Sequence, residues 1–229
     1  MCGRYAFAPD KDFYNRFRIK NILPELKAHY NVAPGFQMPV IIKENANQAV
    51  LMKWGLVPSW SSDLSIGFKL INARCETLSE KASFRKPLET QRCLVPVSGF
   101  YEWKKTPEGK IPYYIFLRET CVFSFAGLYD IWRDIEGRET KSYTIITTTP
   151  NDLIKDIHDR MPVILDKRYE DMWIDEGEKD IMKLTDLLKP YEGDDMEIYL
   201  VSREVNKVGS DGPSLIKPYK ENSPQTKLF

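Results

Sequence analysis

The sequence of 229 residues lacks any apolar run approaching the ~18 residues that a membrane-spanning helix requires. Its opening, MCGRYAFAPDKDF, has no basic segment followed by an apolar stretch, so no secretory leader is expected. Cysteine is scarce and scattered. Cys2, Cys75, Cys93 and Cys121 stand singly, with no C-x-x-C pair, and His29 and His158 are the only two histidines. That spacing argues against a four-ligand zinc site, and neither a metal nor any other cofactor is predicted. Net charge is also missing, 33 basic side chains facing 33 acidic ones, which argues against wholesale nucleic-acid binding. No repeat, low-complexity tract or Gly/Ser linker divides the chain. The expectation is a soluble cytoplasmic protein with free thiols, folded as one domain over residues 1–229. With no heptad or apolar stripe to join copies, a monomer is expected. A chain of this size buries roughly 70% of its unfolded surface and needs no staple.

What is present is unevenly distributed. Residues 166–197 hold twelve acids and five bases, a local charge of −7, so the remainder carries +7 and can still present a basic face to a polyanion. The alternative is that the acidic stretch is the solvated side of surface helices. Residues 3–8, 49–57, 112–117, 122–132 and 142–148 are rich in β-branched and aromatic side chains and bounded by turn clusters such as Thr106-Pro107-Glu108-Gly109, which predicts strands. Helical patterns fit residues 10–19, with Asp10 as N-cap, and about 77–91, 151–156, 167–174 and 178–188. The polar tail from about residue 213 carries two further prolines and is predicted to fray. Strands without a steady βαβ rhythm predict an α+β fold, with a mixed or antiparallel, barrel-like sheet core and peripheral helices.

Cys2 is the most informative position. If Met1 is removed, residue 2 becomes a 1,2-aminothiol, with an amine of pKa about 7.7–8.0 beside a thiol near 8.5. Both have a usable nucleophilic fraction at neutral pH. An aldehyde would form an imine with the amine, and the thiol would close a thiazolidine. The competing reading is a cysteine that merely follows the initiator. Arg4 adds a cation nearby. In Leu70–Glu76 an apolar lead-in delivers Asn72, Arg74 and Glu76 at alternate positions, on one face if the segment is extended. Glu102 lies between Tyr101 and Trp103. Enclosure by them would raise its pKa toward that of a general acid, whereas a surface position would pair it with Lys104 or Lys105. His158 has Asp156 and Asp159 close by, which can hold its tautomer, and Arg160 follows. Asn31 to Gly35 read as a turn containing Pro34. Trp60 stands among small and polar residues and suits base stacking, while Trp54, with apolar neighbours, reads as core.

Seven segments, MCGRY, NVAPG, WGLVPSW, INARCET, GFYEWKK, IHDRMPVIL and VSREVN, fall in one order from residue 2 to about 206. In that order the chain resembles the SRAP family, the SOS-response-associated peptidases regarded as abasic-site processing proteins. The resemblance implies recognition of abasic sites in single-stranded DNA and a thiazolidine cross-link to the opened sugar. It implies Cys2 as nucleophile, Asn72 as the group orienting terminus and sugar, Glu102 as the acid in ring opening, and His158 as the proton carrier. Arg4, Arg74 and Arg160 match phosphate-contacting positions. Pro34, in the Asn31–Gly35 segment, and Trp60 match a wedge beside the DNA, and Asn31 is grouped with these DNA-facing residues. Autoproteolytic loss of residue 1 and a weak lyase side reaction through the imine are also implied. Departures are modest: Cys75 stands inside the Asn72–Arg74 motif's continuation, and Met161 follows Arg160. Two other classes remain open. One is an N-terminal-nucleophile glutamine amidohydrolase, which also begins Met-Cys-Gly; the other is a nucleic-acid-binding module that leaves Cys2 idle.

Overall fold

The computed structural model describes residues 2–219. Twelve strands dominate it: β1 (Tyr5–Phe7), β2 (His29–Val32), β3 (Gln37–Lys43), β4 (Asn47–Trp54), β5 (Asn72–Arg74), β6 (Arg92–Val97), β7 (Gly99–Thr106), β8 (Gly109–Leu117), β9 (Phe123–Arg133), β10 (Glu139–Thr148), β11 (Met161–Pro162) and β12 (Met196–Leu200). The α-helices are short: α1 (Phe13–Arg16), α2 (Ala82–Thr90), α3 (Glu170–Ile174) and α4 (Ile181–Thr185).

Strands β10, β4, β3, β6 and β9 follow one another in a sheet, and β9 pairs again with β10, so these five close into a barrel. All pairings in the ring are antiparallel except β10–β4, which is parallel. Closure removes the exposed edges that an open sheet would have to protect. A second sheet, in the order β12-β8-β7-β1-β2, is antiparallel throughout. Burial of every residue in β6 and of the first eight in β9 means that both faces of those strands are covered. The α+β class with a barrel-like core is therefore present.

Several local expectations differ from the structure. The helix foreseen from Asp10 is only four residues long. Asp10 accepts from the Asp12 amide just upstream of it and does not cap it. Residues 151–156 form hydrogen-bonded turns instead of a helix, since Pro150 and Asn151 open the segment and Asn151 caps its own turn at Ile154 N. The tail is ordered further than expected. Pro213–Ile216 form a 3-10 helix with Leu215 buried, Tyr199 donates to the Ile216 carbonyl, and Tyr219 N bonds to Leu200 O. The end of that predicted tail, 220–229, lies outside the described residues. Strands β3 and β6 contain Pro39 and Pro96, which sequence reasoning counts against a central strand. The ladder between these two strands registers only Ile41 opposite Leu94, so residues that cannot donate are tolerated.

Candidate active site around Cys2

Cys2 precedes β1, which lies between β7 and the edge strand β2 of the second sheet. Strand β1 pairs with β7, Tyr5 opposite Phe100, and Tyr101 N bonds to Arg4 O at 3.0 Å, which brings the chain start alongside Glu102. On the other side of β7, Tyr114 of β8 packs so closely that any Cβ at Gly99 would stand 2.3 Å from its ring. Strand β5 joins β10 in parallel, Asn72 opposite Ile145, and presents Asn72 to Cys2. The Asn72 Nδ2 donates to the Cys2 carbonyl at 2.7 Å. Among the described residues its Oδ1 is buried with no hydrogen-bond partner, as is Glu102 Oε1. Buried acceptors left unsatisfied are rare in a folded protein and mark groups that can take a donor from a substrate.

The Cys2 side chain is fully buried, and its thiol lies 3.8 Å from the Arg4 carbonyl. Burial, and then the Glu102 carboxylate, push the thiol pKa well above its ordinary value. Glu102 is 2% exposed, and burial raises its carboxyl pKa to about 7. The flanking aromatics are not the cause. Strand alternation sends Tyr101 and Trp103 to the opposite face, into a cluster with Ala6, Tyr114, Val201 and Val205. Nor does Glu102 pair with Lys104 or Lys105. His158 Nε2 lies 3.9 Å from Glu102 Oε2, while His158 Nδ1 lies 2.9 Å from Asp159 Oδ1 and accepts from Arg160 N at 3.1 Å. Burial lowers the His158 pKa below 6.5. The chain thus brings Cys2, Asn72, Glu102 and His158 together from four separate segments. A cavity of about 730 Å³ lined by Ile164, Tyr169, Met172, Leu187 and Tyr191 includes none of them.

The residues foreseen as contacts for DNA divide into two groups. Arg74 is exposed on β5, Trp60 is 62% exposed, and Pro34 sits half-buried in the tight turn before Gly35. Arg4, Asn31 and Arg160 are instead engaged within the chain. Arg4 donates to Asn31 Oδ1 and Val205 O, and buried Asn31 donates to Val205 O, Lys207 O and Ser210 O, so the pair staples β2 to the 205–210 segment. Arg160 is 9% exposed and grips Glu76 through two bonds of 2.6 and 2.9 Å, with a third to Thr147 O at 2.6 Å. This fork holds the Glu76 carboxyl at a pKa of about 2. The extended stretch ends at Arg74, and a 3-10 turn from Cys75 to Thr77 carries Glu76 off the face shared by Asn72 and Arg74. Trp54 is core, donating to Ile71 O, as its apolar neighbours foretold. Sequence reasoning missed Asp130 and Trp132. Asp130, 4% exposed, accepts from Ser59 N, and Trp132 Nε1 donates to Ser61 O, so β9 pins both neighbours of Trp60. Only their placement two apart on a strand could have signalled it. Among the described residues no cluster of His, Cys, Asp and Glu could hold a metal ion, and no helix is long and apolar enough to cross a membrane.

The sequence profile described as SOS response associated peptidase (SRAP) matches residues 1–208. A protein of Bacillus subtilis named abasic site processing protein YoqW is 47% identical over 224 residues, covering 96% of this chain and all of that one. Abasic site processing protein HMCES of Gallus gallus is 31% identical, covering 86% of this chain and 68% of its own length. A crystal structure of a protein from Bacteroides thetaiotaomicron superposes with a TM-score of 0.77 at 33% identity, covering 83% of this chain and 85% of that one.

Proposed function

The chain belongs to the SRAP family, and from that premise we propose that it processes abasic sites in single-stranded DNA by forming a covalent thiazolidine through Cys2 after loss of Met1. The observation that carries the reading is the convergence on Cys2: Asn72 on its carbonyl at 2.7 Å, and buried Glu102 with a carboxyl pKa near 7, His158 3.9 Å away.

The chemistry follows from those environments. An abasic deoxyribose is mostly a closed hemiacetal, and Glu102 in its acid form protonates the ring oxygen to open it. The freed Cys2 amine attacks the exposed aldehyde carbon. Asn72 Oδ1 and Glu102 Oε1 are the unfilled acceptors that would orient its N–H groups. Loss of water gives the imine, with His158 carrying protons. The thiol, kept as S–H by burial, then adds across C=N: sulfur bonds to carbon, its proton passes to nitrogen, and one water is released overall. Arg74 supplies the exposed cation for a flanking phosphate, and Trp60 and Pro34 the apolar surface beside the lesion. Arg160, committed to Glu76 and Thr147, acts by fixing the segment that carries His158. The imine also permits β-elimination, giving weak strand cleavage.

The test is incubation of Met1-processed protein with single-stranded DNA bearing one abasic site, followed by a denaturing gel. The reading expects a heat-stable shifted band that is lost in Cys2→Ala. Ammonia release from glutamine without a shifted band would instead indicate an amidohydrolase. Salt-sensitive binding without covalency would indicate a binding module.

A further inference from the structure

We propose that Asp159 and His158 form a proton relay joining the enclosed Glu102 carboxyl to solvent, with Asp159 as its outer member. The inference rests on the abasic-site reading above and adds to it a residue with no role there.

An acid that opens a sugar ring must regain its proton. The Glu102 side chain is only 3% exposed, so bulk water does not reach it freely. His158 is the intermediate in space as well as in chemistry. Its side chain is 26% exposed, with Nε2 3.9 Å from Glu102 Oε2 on the inner side and Nδ1 2.9 Å from Asp159 Oδ1 on the outer side. Asp159 is 87% exposed, so it samples water and buffer directly. Buried, intermediate and open groups stand in line. The inner gap is longer than a hydrogen bond, and one bridging water or a small turn of the ring closes it.

The proton count balances. When Glu102 has given its proton to the sugar, Nδ1 of a neutral His158 takes a proton from a solvent or buffer acid collected at Asp159. The resulting imidazolium passes its Nε2–H to the carboxylate, and the ring is neutral again as the other tautomer. Two geometric features suit Nδ1 to this alternation. In the unprotonated state it accepts from Arg160 N at 3.1 Å, and when protonated it donates to the Asp159 carboxylate. The charged groups facing His158 are Glu102 and Asp159, which favour the imidazolium, and the N-terminal ammonium and Lys105, which oppose it. Burial raises the Glu102 pKa to about 7 and lowers that of His158, and both shifts favour transfer from the imidazolium to the carboxylate.

The experiment compares Asp159→Asn with the wild type in the cross-linking assay, in dilute buffer and then with added imidazole at constant ionic strength. An exposed Asp-to-Asn change leaves packing intact, and circular dichroism with thermal melting verifies it. The relay predicts a rate about tenfold lower in dilute buffer, restored toward the wild type as imidazole rises, while the wild type stays insensitive. Rates equal to the wild type in dilute buffer overturn the relay, and so does a deficit that imidazole does not repair. If the wild type forms no adduct, the abasic-site reading itself has failed. If the wild type cross-links and Asp159→Asn matches it, only the relay has.

Discussion

At the scale of single residues, the proposed ring opening depends on what burial does to Glu102. Its carboxyl pKa rises from 4.5 in an open chain to about 7 in the folded protein. Below the unfolded value both states hold the proton and the residue is neutral to stability. Between the two values folding is progressively penalised, and above 7 the full penalty, roughly 3 kcal/mol, applies. Glu102→Gln should therefore be more stable than the wild type in a denaturant melt above pH 7, with the difference vanishing toward acid. The same variant should form adduct slowly and lose the decline in rate that deprotonation of Glu102 imposes as pH rises through 7. Equal melts at high pH would mean that Glu102 is solvated. The chemical type of this residue was legible in the sequence, but the source of its shift was not. Its aromatic neighbours in the chain point to the other face, and the strands that bury it lie far away in sequence. The partners of Asn31 and Arg160 within the chain were hidden for a related reason. A polar side chain exhibits the same letter whether it reaches solvent or, like Arg160, spends its fork on Glu76.

At the scale of elements, the loop between β4 and the Leu64–Lys69 3-10 helix is built to present Trp60. Ser142 Oγ accepts from Val57 N at 2.8 Å, Asp130 from Ser59 N at 2.8 Å, and Trp132 donates to Ser61 O at 2.7 Å. At its base Gly55, at φ +118°, passes so close to Gly67 that a Cβ would stand 2.6 Å from the Gly67 carbonyl. A loop fixed at three points with a tryptophan left 62% exposed separates stability from binding. Trp60→Ala should leave the denaturation midpoint within about 0.5 kcal/mol of the wild type while weakening DNA binding. Asp130→Ala should cost about 1–3 kcal/mol, because Ser59 N loses its buried acceptor. Isothermal binding and urea melts on the two variants check both, and a Trp60→Ala protein with wild-type affinity removes the tryptophan from the interface. Long strands such as β9 and β10 were readable from β-branched and aromatic runs. The short helices were overestimated, because apolar spacing alone does not show where tertiary contacts stop a helix.

At the scale of the whole molecule, the proposed function has a neutral chain meet a polyanion through uneven charge, the −7 of residues 166–197 leaving +7 elsewhere. DNA binding should weaken steeply with salt, and Arg74→Ala should reduce the log–log slope by about 0.7, the value of one phosphate contact on a single strand. An unchanged slope would take Arg74 out of the contact. Closure of the barrel and the pairing of β1 with β7 are what place residue 2 beside groups from β5, β7 and the segment before β11. No local pattern in the sequence contained that convergence. The most direct test of it is the intact mass of the covalent complex with abasic single-stranded DNA, followed by peptide mapping. The account predicts the mass of protein without Met1 plus the oligonucleotide less one water, with the adduct on Cys2. A complex that retains Met1, or an adduct mapped to any other side chain, would contradict it.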